Sequence, residues 1–239
     1  MSIKSVLFDL DGTLLPMDQD VFIGTYFKGL AGHLIPRGYD PERLIKVIWQ
    51  GTEAMIKNDG SQTNEAAFWQ VFTAAYGEDA RQDEPYFEEF YRTKFPDIKR
   101  VCGYDERAAG IVKLLKDVGI TVALATNPVF PAVATRERMA WAGLSSEDFA
   151  LYTTYENSVC TKPNLKYYTD ITDKLGVLPE ECLMVGNDVD DDMVASELGM
   201  KVFLLTDCLI NKNGLDVNAY PNGSLDQLKD YIIEQISAS

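Results

Sequence analysis

The chain has 239 residues, 46% of them hydrophobic and 11% aromatic, enough for a core of one large domain or two modest ones. A formal net charge of −15 repels phosphate backbones at long range and argues against a nucleic-acid partner. Cys102, Cys160, Cys182 and Cys208 form no C-x-x-C pair, and no apolar run suits a leader or a bilayer, so the expectation is a reduced, cytoplasmic protein without zinc, disulfides or a membrane partner.

The first element is an apolar strand, SVLF, that runs into Asp9, Leu10, Asp11, Gly12 and Thr13. An Asp-Gly turn accounts for Asp11 and Gly12 but not for Asp9. Two carboxylates one strand period apart share a side of the backbone and repel each other unless a cation or substrate sits between them. A calcium loop is excluded, because Leu14 and Asp20 stand where its glycine and glutamate belong. What remains is a carboxylate pair at the carboxyl end of a strand, where open α/β sheets place their ligands.

Four helical segments follow without a convincing strand, over residues 19–35, 40–57, 63–77 and 84–95. The first carries Phe22, Tyr26, Phe27, Leu30 and Leu34 on one face. The second has Asp40 as its N-cap and Pro41 at its first position. The one histidine, His33, lies in the first of them and rules out a multi-histidine metal site. Beyond residue 98 the pattern alternates. Helices are expected over 105–119, 131–143, 164–176, 190–199 and 224–236, and strands over 120–127, 149–156, 182–188 and 201–207. Continuous apolar strands between helices indicate an α/β fold with a parallel sheet covered on both faces. Residues 208–223 read as a surface loop.

Three further polar clusters stand where strands end or helices begin: Thr126-Asn127, Lys162 in CTKPN, and GNDVDDDM at 186–193. Taken singly they are weak, since Thr126 and Asn127 could cap a helix and acidic residues suit a helix start. With Asp9 and Asp11 they form one set on one sheet edge.

DLDGT at 9–13, Thr126, Lys162 and GND-x3-D resemble, in order and spacing, the four motifs of the haloacid dehalogenase-like (HAD) superfamily. The helical insert resembles that family's type 1 cap, as in its phosphoglycolate phosphatase-like branch. The resemblance implies a Rossmann-like three-layer core of strand order 5-4-1-2-3, at 1–15 and 99–239, with an all-helical cap domain at 16–98. It implies Mg²⁺ held by the Asp9 side chain, the Asp11 backbone carbonyl and the Asp188 side chain. Asn187 departs from the pattern by standing between the motif glycine and the metal aspartate. Four residues on from Asp188 is Asp192, and four on from Asn187 is Asp191; Asp188 with Asp192 is preferred, because an amide is the poorer magnesium ligand.

The residue types fit phosphoryl transfer. Asp9 can attack phosphorus as a nucleophile, and Asp11 can move the proton. Thr126, the Asn127 amide and Lys162 can bind the phosphoryl oxygens, while Asp192 supports the metal waters or Lys162 and Gly12 lets the backbone turn close to the phosphate. The expected activity is Mg²⁺-dependent hydrolysis of a small phosphorylated metabolite by a monomer or homodimer. The alternatives are a phosphomutase with the same core residues and, further off, a non-catalytic phosphate-binding module. A dehalogenase is disfavoured because family dehalogenases lack the second aspartate.

Overall fold

The computed structural model describes residues 2–237; Met1 and residues 238–239, which the sequence reading counts with the core, lie outside them. Six parallel strands form one sheet in the order β3-β2-β1-β4-β5-β6. They are β1 (Ser5–Phe8), β2 (Thr121–Leu124), β3 (Leu151–Tyr152), β4 (Cys182–Gly186), β5 (Lys201–Leu205) and β6 (Asn222–Gly223). The expected order is present, with β6 added outside β5. Residues 208–223 are therefore more than a loop, because a short edge strand and a 3₁₀ turn at Val217–Ala219 form within them. Their Gly, Asn and Asp content hides a two-residue strand, too short for any periodicity to register.

Strand alternation sorts the core into two faces. Val6 and Phe8 point into a cluster that continues through the helices between β1 and β2, and Leu7 points into a cluster around Tyr167, Tyr168 and Met193. Helix α5 (Glu106–Asp117) precedes β2, and beyond β2 come α6 (Ala132–Trp141), α7 (Leu165–Leu175) and α8 (Leu225–Ser237). The segment expected as a helix at 190–199 is instead a 3₁₀ run at Met193–Leu198, closed by Gly199 in the left-handed region. Asp188 caps the start of this stretch by accepting from the backbone N–H groups of Asp190 and Asp191, and the stretch is a short connector between β4 and β5, a setting in which 3₁₀ winding is common.

Between β1 and β2 lie α1 (Gln19–Leu34), α2 (Pro41–Ile56), α3 (Asn64–Tyr76) and α4 (Glu84–Thr93). Their starts follow from local chemistry. Asp18, Asp40 and Thr63 each accept a hydrogen bond from a backbone N–H of the first turn, and Pro41 has no N–H to leave unpaired. The two chain crossings that join this segment to the sheet lie side by side. Gly103 N donates to Pro16 O at 2.7 Å, and Met17 bridges to Cys102.

Aromatic rings make the seam between the segment and the sheet layer. Phe95 stacks on Trp141 of α6 at 5.1 Å between centroids and meets Phe22 and Tyr26 edge-on. Buried Asn64 adds a polar tie, donating to the carbonyls of Pro128 and Cys160. Replacing fully buried Phe95 with alanine removes contacts on both sides of this seam. Phe95→Ala is expected to destabilise the protein by about 3–5 kcal/mol. Urea unfolding followed by tryptophan fluorescence measures it, and a midpoint within error of wild type would mean the seam carries no stability.

Candidate active site

The register of β1 with its two neighbours builds the site. Phe8 pairs with Leu124 on one side and Val185 on the other, so the residues just after each strand emerge together. Asp9 N donates to Val185 O at 2.9 Å, and Ala125 N donates to Phe8 O at 2.7 Å. Asp9, Thr126 and Asn187 thus leave the sheet at its carboxyl edge, at the point where the strand order reverses direction around β1. They line a cavity of about 60 Å³ together with Asp11, Asn127, Lys162, Asp188, Asp191 and Asp192.

Lys162 is the centre of this cavity. It is 3% exposed, and its Nζ donates to Asp9 Oδ1 at 2.8 Å and Asp192 Oδ1 at 2.6 Å. Burial alone would lower the lysine pKa, but the two carboxylates outweigh it and hold it well above the ordinary value. Lys162 is therefore a fixed cation. Asp192 Oδ2 in turn accepts from the Asp188 backbone N at 3.0 Å, which ties the fourth motif to the lysine.

The loop after β4 is organised by its own aspartates. Asp188 Oδ1 accepts from the backbone N–H groups of Asp190 and Asp191, at 2.9 and 3.0 Å. Burial, and then the neighbouring Asp188 charge, push the Asp191 carboxyl up to about 6. Asp191 Oδ2 lies 3.5 Å from Asn127 Nδ2, while Asn127 Oδ1 is buried with no hydrogen-bond partner among the described residues. Neither Thr126 nor Asn127 caps α6, whose N-cap is Pro131. A capping role for these two residues is excluded.

Asn187 interrupts the familiar spacing for a structural reason. Its Oδ1 accepts from Thr13 Oγ1 at 3.0 Å, and its Nδ2 donates to Cys208 O at 2.7 Å. The side chain lies against Gly12, whose φ is +86°, and any Cβ at Gly12 would collide with it. Gly12 is thus required by a neighbouring amide as well as by its left-handed backbone. Gly186 is constrained similarly, since a Cβ there would collide with the Asp192 carboxylate.

Three residues that line or support the site escape sequence reasoning. Gln19 at the start of α1 and Ile210 both line the cavity. Ile210 belongs to the stretch read as a surface loop, yet its N–H donates to Asn187 O and its carbonyl accepts from Val189 N. The third is Arg138 of α6, fully buried, whose Nη1 donates to Asp11 Oδ2. Nothing local marks it in the sequence, because an arginine in an amphipathic helix ordinarily faces water. Burial pushes the Asp11 carboxyl up; Arg138 opposes the rise, Asp9 adds to it and Lys162 opposes it again.

A family model described as haloacid dehalogenase-like hydrolase matches residues 3–199. The chain belongs to that family. It is 28% identical to a phosphoglycolate phosphatase of Agrobacterium fabrum over 79% of this chain and 74% of the relative. It is also 28% identical to an N-acetylmuramic acid 6-phosphate phosphatase of Pseudomonas aeruginosa, over 84% and 80% of the two chains. Among solved structures, a 2-haloacid dehalogenase from Pseudomonas syringae pv. Tomato superposes with a TM-score of 0.67 at 19% identity, covering 98% of this chain and 99% of that one. A HAD phosphatase from Thermococcus onnurineus gives 0.55 at 20% identity, covering 96% and 98%. These likenesses are of fold. Among the described residues, no helix is long and apolar enough to cross a membrane.

The donor set can be tested against a divalent metal. Five aspartates line the cavity beside one lining cation, Lys162. Such a set of hard oxygens suits Mg²⁺. Among the described residues no three His, Cys, Asp or Glu side chains converge as a ready-made site.

The Gly12–Asn187 contact yields a double-mutant test. Gly12→Ala is expected to destabilise by about 1–3 kcal/mol through the positive φ and the collision. In an Asn187→Ala background part of that loss should disappear, because the colliding amide is gone. Thermal unfolding of the four proteins measures the coupling, and strict additivity would mean that the amide does not confine Gly12.

Proposed function

We propose that this protein is a magnesium-dependent phosphatase of small phosphorylated metabolites, working through an aspartyl-phosphate on Asp9. One observation carries the reading: Lys162 joins Asp9 and Asp192 in a single buried cluster at the mouth of β1, with Thr126 and Asn127 on the same cavity. The two relatives act, by their names, on small phosphate monoesters, which supports the substrate class.

The chemistry follows from the positions. An Asp9 carboxylate oxygen attacks phosphorus, the bond from phosphorus to the ester oxygen breaks, and Asp11 gives the leaving oxygen a proton. Water then attacks phosphorus. Asp11 takes a proton from that water, the bond from phosphorus to Asp9 breaks, and inorganic phosphate departs. Lys162, the Thr126 hydroxyl and the Asn127 amide hold the phosphoryl oxygens, and the fixed lysine charge needs no reorganisation as charge shifts during transfer. Asp192 keeps the lysine in place. The metal would be held by the Asp9 and Asp188 side chains and the Asp11 carbonyl; when bound, it supplies the positive charge that lets a carboxylate approach a phosphate.

Residues 16–98 are the cap domain in this reading, with residues 1–15 and 99–239 forming the core. The paired crossings at Pro16–Met17 and Cys102–Gly103 form the neck on which a cap can turn. Gln19, just beyond the neck, brings the cap to the cavity.

Hydrolysis of p-nitrophenyl phosphate is expected to require Mg²⁺, to vanish in excess EDTA and to return when magnesium is restored. Full turnover in EDTA would overturn the metal role. The two aspartates are expected to fail differently as asparagines. Asp9→Asn should form no phosphoenzyme. Asp11→Asn should still accept phosphate on Asp9 while turnover falls by about 10²–10⁴. Mass spectrometry of acid-quenched protein locates the phosphoryl group, and finding it on any peptide without Asp9 would reassign the nucleophile.

A further inference from the structure

The proposed acid/base is held by a residue that none of the four motifs contains. We propose that Arg138 is a positioning residue for Asp11, an inference that rests on the acid/base role argued above. Arg138 is 0% exposed and is absent from the cavity lining, so it does not touch substrate. It acts through Asp11.

The two oxygens of Asp11 have different surroundings. Oδ2 accepts from Arg138 Nη1. Oδ1 is buried and has no hydrogen-bond partner among the described residues. A buried carboxylate oxygen without a partner costs free energy unless something arrives to use it. In an acid/base that something is the ester oxygen or the attacking water. Arg138 therefore clamps one oxygen and leaves the other for the reaction.

The guanidinium is itself braced. Its carbon lies 4.5 Å from the centroid of the Phe130 ring, in cation–π range. Its Nε lies 3.4 Å from Ala134 O and its Nη2 3.5 Å from Thr135 Oγ1, both weak contacts within α6. Asp11 is thus its one strong partner. A planar group can stack on Phe130 while its edge reaches a carboxylate, and an ammonium cannot do both. Phe130 sits four residues after Thr126 and packs against Tyr26 of α1 at 5.2 Å. One chain of contact therefore runs from the helical segment through Phe130 and Arg138 to Asp11.

A purely structural ion pair would tie α6 to the end of β1 and nothing more. The two roles separate on the leaving group. Expulsion of p-nitrophenolate needs little help from an acid, whereas expulsion of phenolate needs a proton on the ester oxygen. A carboxyl displaced by about 1 Å can cost on the order of 10²-fold in rate. With wild-type, Arg138→Met, Arg138→Lys and Asp11→Asn proteins, each checked for folding by near-UV circular dichroism, kcat and KM are measured on phenyl and p-nitrophenyl phosphate. For Arg138→Met the expected result is a fall in kcat of about 10²-fold on phenyl phosphate and several-fold less on p-nitrophenyl phosphate, with KM within about twofold. Arg138→Lys, which keeps the charge and folds more readily, is expected to lie between Arg138→Met and wild type. If Asp11→Asn shows the steep leaving-group dependence and the Arg138 variants lower both substrates equally or not at all, the positioning role is overturned while the acid/base reading stands. If Asp11→Asn is itself insensitive to the leaving group, the acid/base reading fails and the role of Arg138 falls with it.

Discussion

A buried ammonium held between two carboxylates organises the carboxyl edge of this sheet. Removing Lys162 would leave the buried Asp9 and Asp192 carboxylates without the counter-charge they share, a costly arrangement away from bulk solvent. The lysine comes from the loop before α7, Asp9 from the end of β1 and Asp192 from the turn after β4. Three separate stretches of chain are thereby fixed by one charge. The arrangement also places a buried cation at the carboxyl edge of the sheet in a molecule of net charge −15. Within the cavity Lys162 is the one lining cation among five aspartates, so an anion entering it meets net negative charge unless a further cation is bound.

Much of this could be read from the chain because the informative residues are short, polar and placed at strand ends. Asp9 and Asp11 stand out because carboxylates rarely terminate an apolar strand, and Lys162 acquires meaning from its order relative to the other motifs. The strands β1, β2, β4 and β5 are continuous apolar runs, buried on both faces, and they declare themselves by composition. The second helix of the insert announces its start through Asp40-Pro41.

What stayed hidden is tertiary in origin. Arg138 is ordinary in its helix and becomes significant only when folding brings it over Phe130 and against Asp11. Ile210 sits in a polar, glycine-containing stretch, and its place beside the site depends on a hydrogen bond to Asn187 O across a large sequence separation. The stretch expected as a helix after Asp188 has that residue as its cap, accepting from the N–H groups of Asp190 and Asp191, yet winds as a short 3₁₀ connector between β4 and β5. In each case a side chain or a backbone group finds its partner across space or within a turn, and hydrophobic period carries no trace of either.

The sheet ends at both sides in strands of two residues, β3 at Leu151–Tyr152 and β6 at Asn222–Gly223. An unpaired strand edge is a template on which another chain can add itself, and its danger grows with its length. Here neither margin offers enough consecutive free backbone to seat an incoming strand. The more apolar strands β1, β2, β4 and β5, of four or five residues, are all interior, each paired on both sides. The fold thus keeps its most apolar strands away from the rim.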